Sequence, residues 1–356
     1  MLAVHGLDIS YFTGKLEGYL RAKGLAYRLE KMDTGAFRRL AGFTGVRQMP
    51  QLEMPDGRWM TDTVRIIDAL EAEYPAPTLT PDEPACAFTA RLIEAFGDEH
   101  LWRPALYYRW AFRDDARLLS GRLASGMLRD VAGPTALKRR LILMRQRMRY
   151  LQGEGVTRSN RPEIEADYLR LLDALEPVLR RRDWVLGAAP TRADIGLFGP
   201  LFRHFHCDPT PGRIMRARAP AVAAWVTRLW ALRGAEAGDA RMLNNIPEDL
   251  GPLFGLIRTR FLPELVANAA AVSARRRELT HHIGPSTTIR YRPNPYRAER
   301  LSRLLQNHAT LAAPARVRVA AVVGADLSRP PFPPFLTTGS LDRSEGLRDR
   351  WGRPTR

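Results

Sequence analysis

Cysteine is scarce in this chain: Cys86 and Cys207 are the only two among 356 residues. Two cysteines cannot build a disulfide framework, and a reducing, cytoplasmic setting suits a chain without one. No run approaches the roughly 18 consecutive apolar residues of a membrane-spanning helix. Residues 1–10 contain His5 and Asp8 and lack a basic stretch ahead of an apolar core, so no secretory signal is expected there. Glycine-rich phosphate loops are absent, as are RNA- and DNA-binding motifs and internal repeats. His204, His206, Cys207 and Asp208 do not have the spacing of a zinc site and lack a second ligand cluster. The same holds for His281 and His282. No metal is therefore expected.

What the chain has in quantity is arginine. Only four of its 55 basic residues are lysine (Lys15, Lys23, Lys31 and Lys138). The net charge is +17 and is unevenly placed: residues 1–80 carry ten basic and ten acidic side chains, residues 81–240 carry +7 and residues 241–356 carry +10. A basic C-terminal part can attract nucleic acid or anionic membrane. Without an accompanying motif, a solvated arginine-rich surface accounts for it, and contact of the tail with either partner is not favoured. With 45% hydrophobic and 26% charged residues, the chain can bury a sizeable core.

Residues 2–9 are apolar-rich and read as a strand. In residues 13–24, Leu16, Tyr19 and Leu20 fall on one helical face, and Gly24 stands where a helix stops. Residues 26–31 resume as a strand, completing a β-α-β unit. Residues 49–53 and 58–60 flank Pro55-Asp56-Gly57, a strong hairpin signal. Thr61-Asp62-Thr63 then opens a helix with an apolar stripe at Val64, Ile67 and Leu70. The order β-α-β, β-β-α is the thioredoxin-like pattern. Residues 75–85 are proline-rich and read as a linker. Helical spacing follows over 87–101, 102–113, 137–151, 162–181, 192–206 and 219–232. Residues 137–150, LKRRLILMRQRMRY, show apolar and basic faces. Further on, 255–273 and 296–307 read as helices, with a hairpin between them around Gly284-Pro285-Ser286.

Four local motifs accompany this order. They are Gln48-Met49-Pro50-Gln51-Leu52; Asp62-Thr63-Val64-Arg65-Ile66-Ile67; Thr191-Arg192-Ala193-Asp194-Ile195 after Trp184-Val185-Leu186-Gly187; and Pro220 followed by Trp225 and Trp230. Together the chain resembles the glutathione transferase superfamily over roughly residues 1–235. The resemblance implies an α/β thioredoxin-like N-terminal domain (1–76), a linker (77–86) and an all-helical domain (87–240). A helix, hairpin and helix extension (241–324) and a disordered basic tail (325–356) lie beyond the common fold.

What the resemblance implies for the site is specific. Pro50 is expected to be cis, turning the main chain of Met49, beside Gln48, toward the cysteinyl part of glutathione. Thr63 presents a hydroxyl and an N–H at a helix N-terminus, where an anion such as the γ-glutamyl carboxylate is favoured. Asp62 takes the ammonium group. Thr191 and Asp194 form a structural capping box. A hydroxyl at the end of the first strand lowers the cost of ionising the glutathione thiol, and Ser10, Tyr11 and Thr13 are all candidates. Ser10 is equally explained as a helix cap. Arg103, Tyr107 and Arg109, in a segment dense in aromatic and ionisable side chains, are candidates for the substrate wall. An aromatic core explains that segment equally well. The function implied is transfer of the glutathione thiol to a small apolar electrophile, by a cytoplasmic homodimer with glutathione as co-substrate. The alternative is a catalytically silent binding protein on the same scaffold.

Overall fold

The computed structural model describes residues 1–328. The tail expected to be disordered lies outside the described residues from 329 onward.

The N-terminal sheet has four strands: β1 (Leu2–Gly6), β2 (Tyr27–Lys31), β3 (Gln51–Glu53) and β4 (Trp59–Thr61). Their order is β2-β1-β3-β4, with β1 parallel to β2 and the other pairs antiparallel. Val4 and Leu52 face each other across β1 and β3 and are fully buried. Helix α1 (Tyr11–Ala22) starts at Tyr11 because the Ser10 Oγ accepts the Thr13 N–H at 3.4 Å. It buries Leu16, Tyr19 and Leu20. Helix α2 (Thr34–Thr44) did not register in the sequence, and only Leu40 and Thr44 of it are buried. A helix that buries so little carries a weak apolar period. Helix α3 (Thr63–Glu73) closes a thioredoxin-like domain with a mixed sheet.

The second domain is helical. Its centre is the crossing of α4 (Pro84–Glu99) and α9 (Arg192–Pro200), two glycines deep: a Cβ on Gly97 would stand 2.4 Å from the Gly196 carbonyl oxygen. Helix α9 begins inside the core, where water cannot serve its free N–H groups. Asp194 Oδ2 accepts the Thr191 N–H at 2.9 Å, and Thr191 Oγ1 accepts the Ala193 N–H at 3.2 Å, as a capping box. Asp194 Oδ1 also accepts from Val185 N and Trp225 Nε1. Helices α5 (Trp102–Ala111), α6 (Arg113–Ser125), α7 (Thr135–Gln146), α8 (Arg161–Arg181), α10 (Pro209–Arg218) and α11 (Pro220–Ala231) complete the layer. Of these, α6 and α10 were not read from the sequence. Their short stretches hold several charges and few buried apolar residues.

The remaining chain folds back on this body. It contains α12 (Gly251–Leu256), α13 (Leu262–Ser273), a hairpin of β5 (Leu279–His282) and β6 (Thr288–Tyr291), α14 (Pro295–Ala309) and α15 (Ala313–Val323). Buried ion pairs anchor it. Arg103 of α5 pairs with Glu264 of α13, with its Nη1 3.1 Å from the carboxylate. Arg297 of α14 reaches Glu154 at 2.8 Å, and Arg300 reaches Asp98 at 3.4 Å. Asp98 and Glu94 both hold Lys15 of α1, at 2.7 and 2.8 Å, and Glu94 also holds Arg192 at 2.9 Å. Each charge in this dry cluster therefore has an opposite neighbour, the condition for burying it at all.

Candidate functional site

A cleft of about 240 Å³ opens where the two domains meet. Three separated stretches of the N-terminal domain form one wall: Ser10 to Phe12, Arg47 to Pro50, and Asp62 with Thr63. Trp102, Leu106, Trp110, Arg145, Tyr150 and His204 of the helical domain also line it, as does Tyr296 of α14.

The Met49–Pro50 peptide bond is cis. The main-chain N–H and C=O of Met49 make no hydrogen bond among the described residues. An unpaired main-chain donor and acceptor beside a sheet offer a ready strand-like partner. Gln48 borders the cleft, and its Nε2 donates to Thr61 Oγ1 at 2.9 Å. That bond ties the loop before the cis link to β4.

Asp62 has φ 69° and ψ 106°, a conformation that residues other than glycine rarely adopt. Such strain is concentrated at ligand sites, where surrounding structure holds it in place. Asp62 Oδ1 accepts the Val64 N–H at 3.0 Å and caps α3, and it accepts the Tyr296 hydroxyl at 3.2 Å. Thr63 is 4% exposed, and its hydroxyl and N–H have no partner among the described residues. Donors at the start of a helix, unpaired and turned to a cleft, are a site for an anion.

The three hydroxyls proposed for thiol activation separate. Ser10 is half-buried on the cleft wall and, as cap, uses its oxygen as acceptor, so its own proton is left to donate outward. The two readings of Ser10 are thus compatible. Tyr11 is corrected: it borders the cleft, but its hydroxyl donates to the Gly97 carbonyl. Thr13 is corrected too. It is fully buried against β1, where a Cβ on Gly6 would collide with it, and it does not line the cleft.

The substrate-wall candidates need larger correction. Arg103 is buried and spent on Glu264 and the Glu154 carbonyl. The Tyr107 hydroxyl donates to Glu165. Arg109 touches the cleft, but its guanidinium is consumed by Asp208, Ile9 O and Arg203 O, at 2.6–2.9 Å. Burial raises the pKa of Asp208 despite that arginine. The neighbours that do face the cleft are Trp102, Leu106 and Trp110. Positions 102, 106 and 110 fall within an arc of about 80°, and 103 and 107 lie about 20° and 60° beyond its edge. His204 stays neutral: burial and the charge of Arg109 both lower its pKa, and its Nδ1–H donates to Ala105 O at 3.2 Å. Tyr296 could not have been found from motif spacing, since it lies beyond the common fold.

Comparison with known proteins agrees with this architecture. Residues 4–78 match the family model of the glutathione S-transferase N-terminal domain, and residues 143–232 match that of the C-terminal domain. The protein is glutathione-transferase-like. Solved structures similar to this transferase-like chain include the β-etherase LigF from Sphingobium sp. strain SYK-6, at 20% identity over 66% of this chain and 97% of that one, TM-score 0.47. A glutathione S-transferase from Methylobacterium radiotolerans JCM 2831, solved in complex with glutathione sulfonate, shares 22% identity over 69% and 99%, TM-score 0.40. Another from Rhodospirillum rubrum F11 shares 17% over 84% and 99%, TM-score 0.42. A search among curated proteins returns no match. No helix among the described residues of this transferase-like protein is long and apolar enough to cross a membrane.

Proposed function

We propose that the cleft binds glutathione and presents its thiol to a small apolar electrophile. The reading rests on one convergence: the free main chain of Met49, the open donors of Thr63, the carboxylate of Asp62 and the hydroxyl of Ser10 border a single cleft. Each complements a different part of the tripeptide. Met49 offers strand-like bonds to the cysteinyl unit, Thr63 meets the γ-glutamyl carboxylate, and Asp62 meets the ammonium. Ser10 donates to the sulfur, favouring thiolate over thiol, whose unperturbed pKa is about 8.5. The Ser10 oxygen attacks nothing. Once formed, the thiolate adds to the electrophile's carbon and the leaving group departs with the bonding pair. Trp102, Leu106, Trp110 and Tyr150 give the outer cleft an apolar lining suited to such a partner. The family resemblance supports a homodimer working in the cytoplasm.

Titration calorimetry with glutathione tests the binding half. Saturable binding supports it, and none at millimolar glutathione ends it. Ultraviolet difference absorbance of bound thiolate tests the chemistry. Ser10→Ala should lower the thiolate signal at neutral pH while binding persists. Binding without thiolate in the natural protein would favour the catalytically silent alternative.

A further inference from the structure

Helix α7 and the turn that follows it, residues 135–151, carry six basic side chains and no acidic one. Ile142 is buried on the inner side. On the outer side Leu137, Leu141, Met144 and Met148 are 52, 49, 53 and 59% exposed. Steps of four, three and four residues keep these four within an arc of about 60°. By the same reckoning Arg140 and Arg147 flank the stripe on one side, and Lys138 and Arg145 on the other. Lys138, Arg139, Arg140, Arg145 and Arg147 pair with no carboxylate among the described residues. Elsewhere on the surface arginines do find such partners: Arg218 has Asp173, and Arg170 has Glu163 and Asp167.

We propose that this face of α7 docks on an anionic lipid surface. An apolar stripe between two basic edges is what an in-plane interfacial helix requires: the stripe enters the acyl boundary and the guanidinium groups meet headgroup phosphates. A second copy of the chain seated face on face fits poorly, because two such faces would oppose eight flanking cations with no carboxylate between them. A nucleic acid would engage the basic edges and leave four large apolar side chains without a partner. This surface is distinct from the C-terminal tail, and of its flanking cations Arg145 also borders the cleft.

The test is flotation of the full-length protein with vesicles of phosphatidylcholine alone and of phosphatidylcholine mixed equally with phosphatidylglycerol. The expected result is binding to the mixed vesicles only, weakened by salt. Leu141→Gln with Met144→Gln should lower the partition coefficient at least about tenfold, and Arg140→Gln about fivefold. All three positions are exposed, and a thermal melt of each variant checks that folding is unchanged. Absence of binding, or equal binding to both vesicles, overturns the proposal. Vesicle binding unaffected by the variants assigns it to another segment and also overturns it. So does a dimer, seen in sedimentation equilibrium, that the Leu141 and Met144 substitutions split, or oligonucleotide binding that only Arg140→Gln weakens.

Discussion

The hydroxyl of Tyr296 meets the carboxylate of Asp62 at 3.2 Å, across 234 positions of sequence. One residue belongs to the helix that follows the hairpin of the extension, the other to the start of α3 in the thioredoxin-like domain. The extension is therefore part of the cleft and not an appendage to it. Its hydrogen bond orients the carboxylate proposed to receive the ligand's ammonium group.

Removing that bond should be felt by the ligand and hardly by the fold. Tyr296→Phe keeps the ring and loses one hydrogen bond, about 1 kcal/mol, or roughly fivefold in the glutathione Kd. Calorimetry reads the affinity, and a melting temperature within a few degrees of the natural protein checks the fold. An unchanged Kd would show that Asp62 does not touch the ligand.

Glu264 makes stability fall in acid. Burial opposes its ionisation, but Arg103 and Arg297 prevail and hold its carboxyl well below the usual carboxylate range. A carboxylate lowered in the folded state contributes stability that is complete above its unfolded pKa and lost as pH falls below it. Chemical denaturation from about pH 5 to about pH 3 should show a shallower loss for Glu264→Gln than for the natural protein. Arg103→Met removes the guanidinium paired with the buried Glu264 and should cost about 3–5 kcal/mol at neutral pH.

The crossing of α4 and α9 sets a steric limit. A methyl on Gly97 meets main chain of Gly196 at 2.4 Å, and main chain cannot swing aside. Gly97→Ala should lower stability by about 1–3 kcal/mol. Gly121→Ala in α6 meets nothing within 4 Å, and it should be neutral or stabilising by up to about 1 kcal/mol. Equal melting temperatures for the two variants would refute the argument.

The two thiols should differ sharply. Cys86 is buried, and burial, with Glu83 next in effect, pushes its pKa up to about 12. Cys207 is exposed. A disulfide reagent at about pH 8 should titrate one thiol in the native protein and two after denaturation. Fast reaction of both would mean that α4 opens at its N-terminus.

The sequence was most informative where one residue type has one physical use. The Asp-Gly turn, the Thr191 and Asp194 pair and the apolar stripe of α3 are local, and the structure has each of them. Asp62, Thr63, Met49 and Ser10 could be named because short-range motifs mark them. The failures are long-range. Whether Arg109 is free or consumed depends on Asp208, almost a hundred residues away. Arg103 depends in the same way on Glu264. Phase within a helix aromatic on several sides cannot be set by apolarity alone, so the sequence does not tell which residues of α5 border the cleft. Tyr296 needed the fold itself.

Because α14 supplies both the Tyr296 hydroxyl and the Arg300 guanidinium, the order of synthesis matters. A ribosome has to deliver about three hundred residues before the charge of Asp98 gains its last counterion and the cleft its last wall. Nascent chains halted after the helical layer would lack both groups.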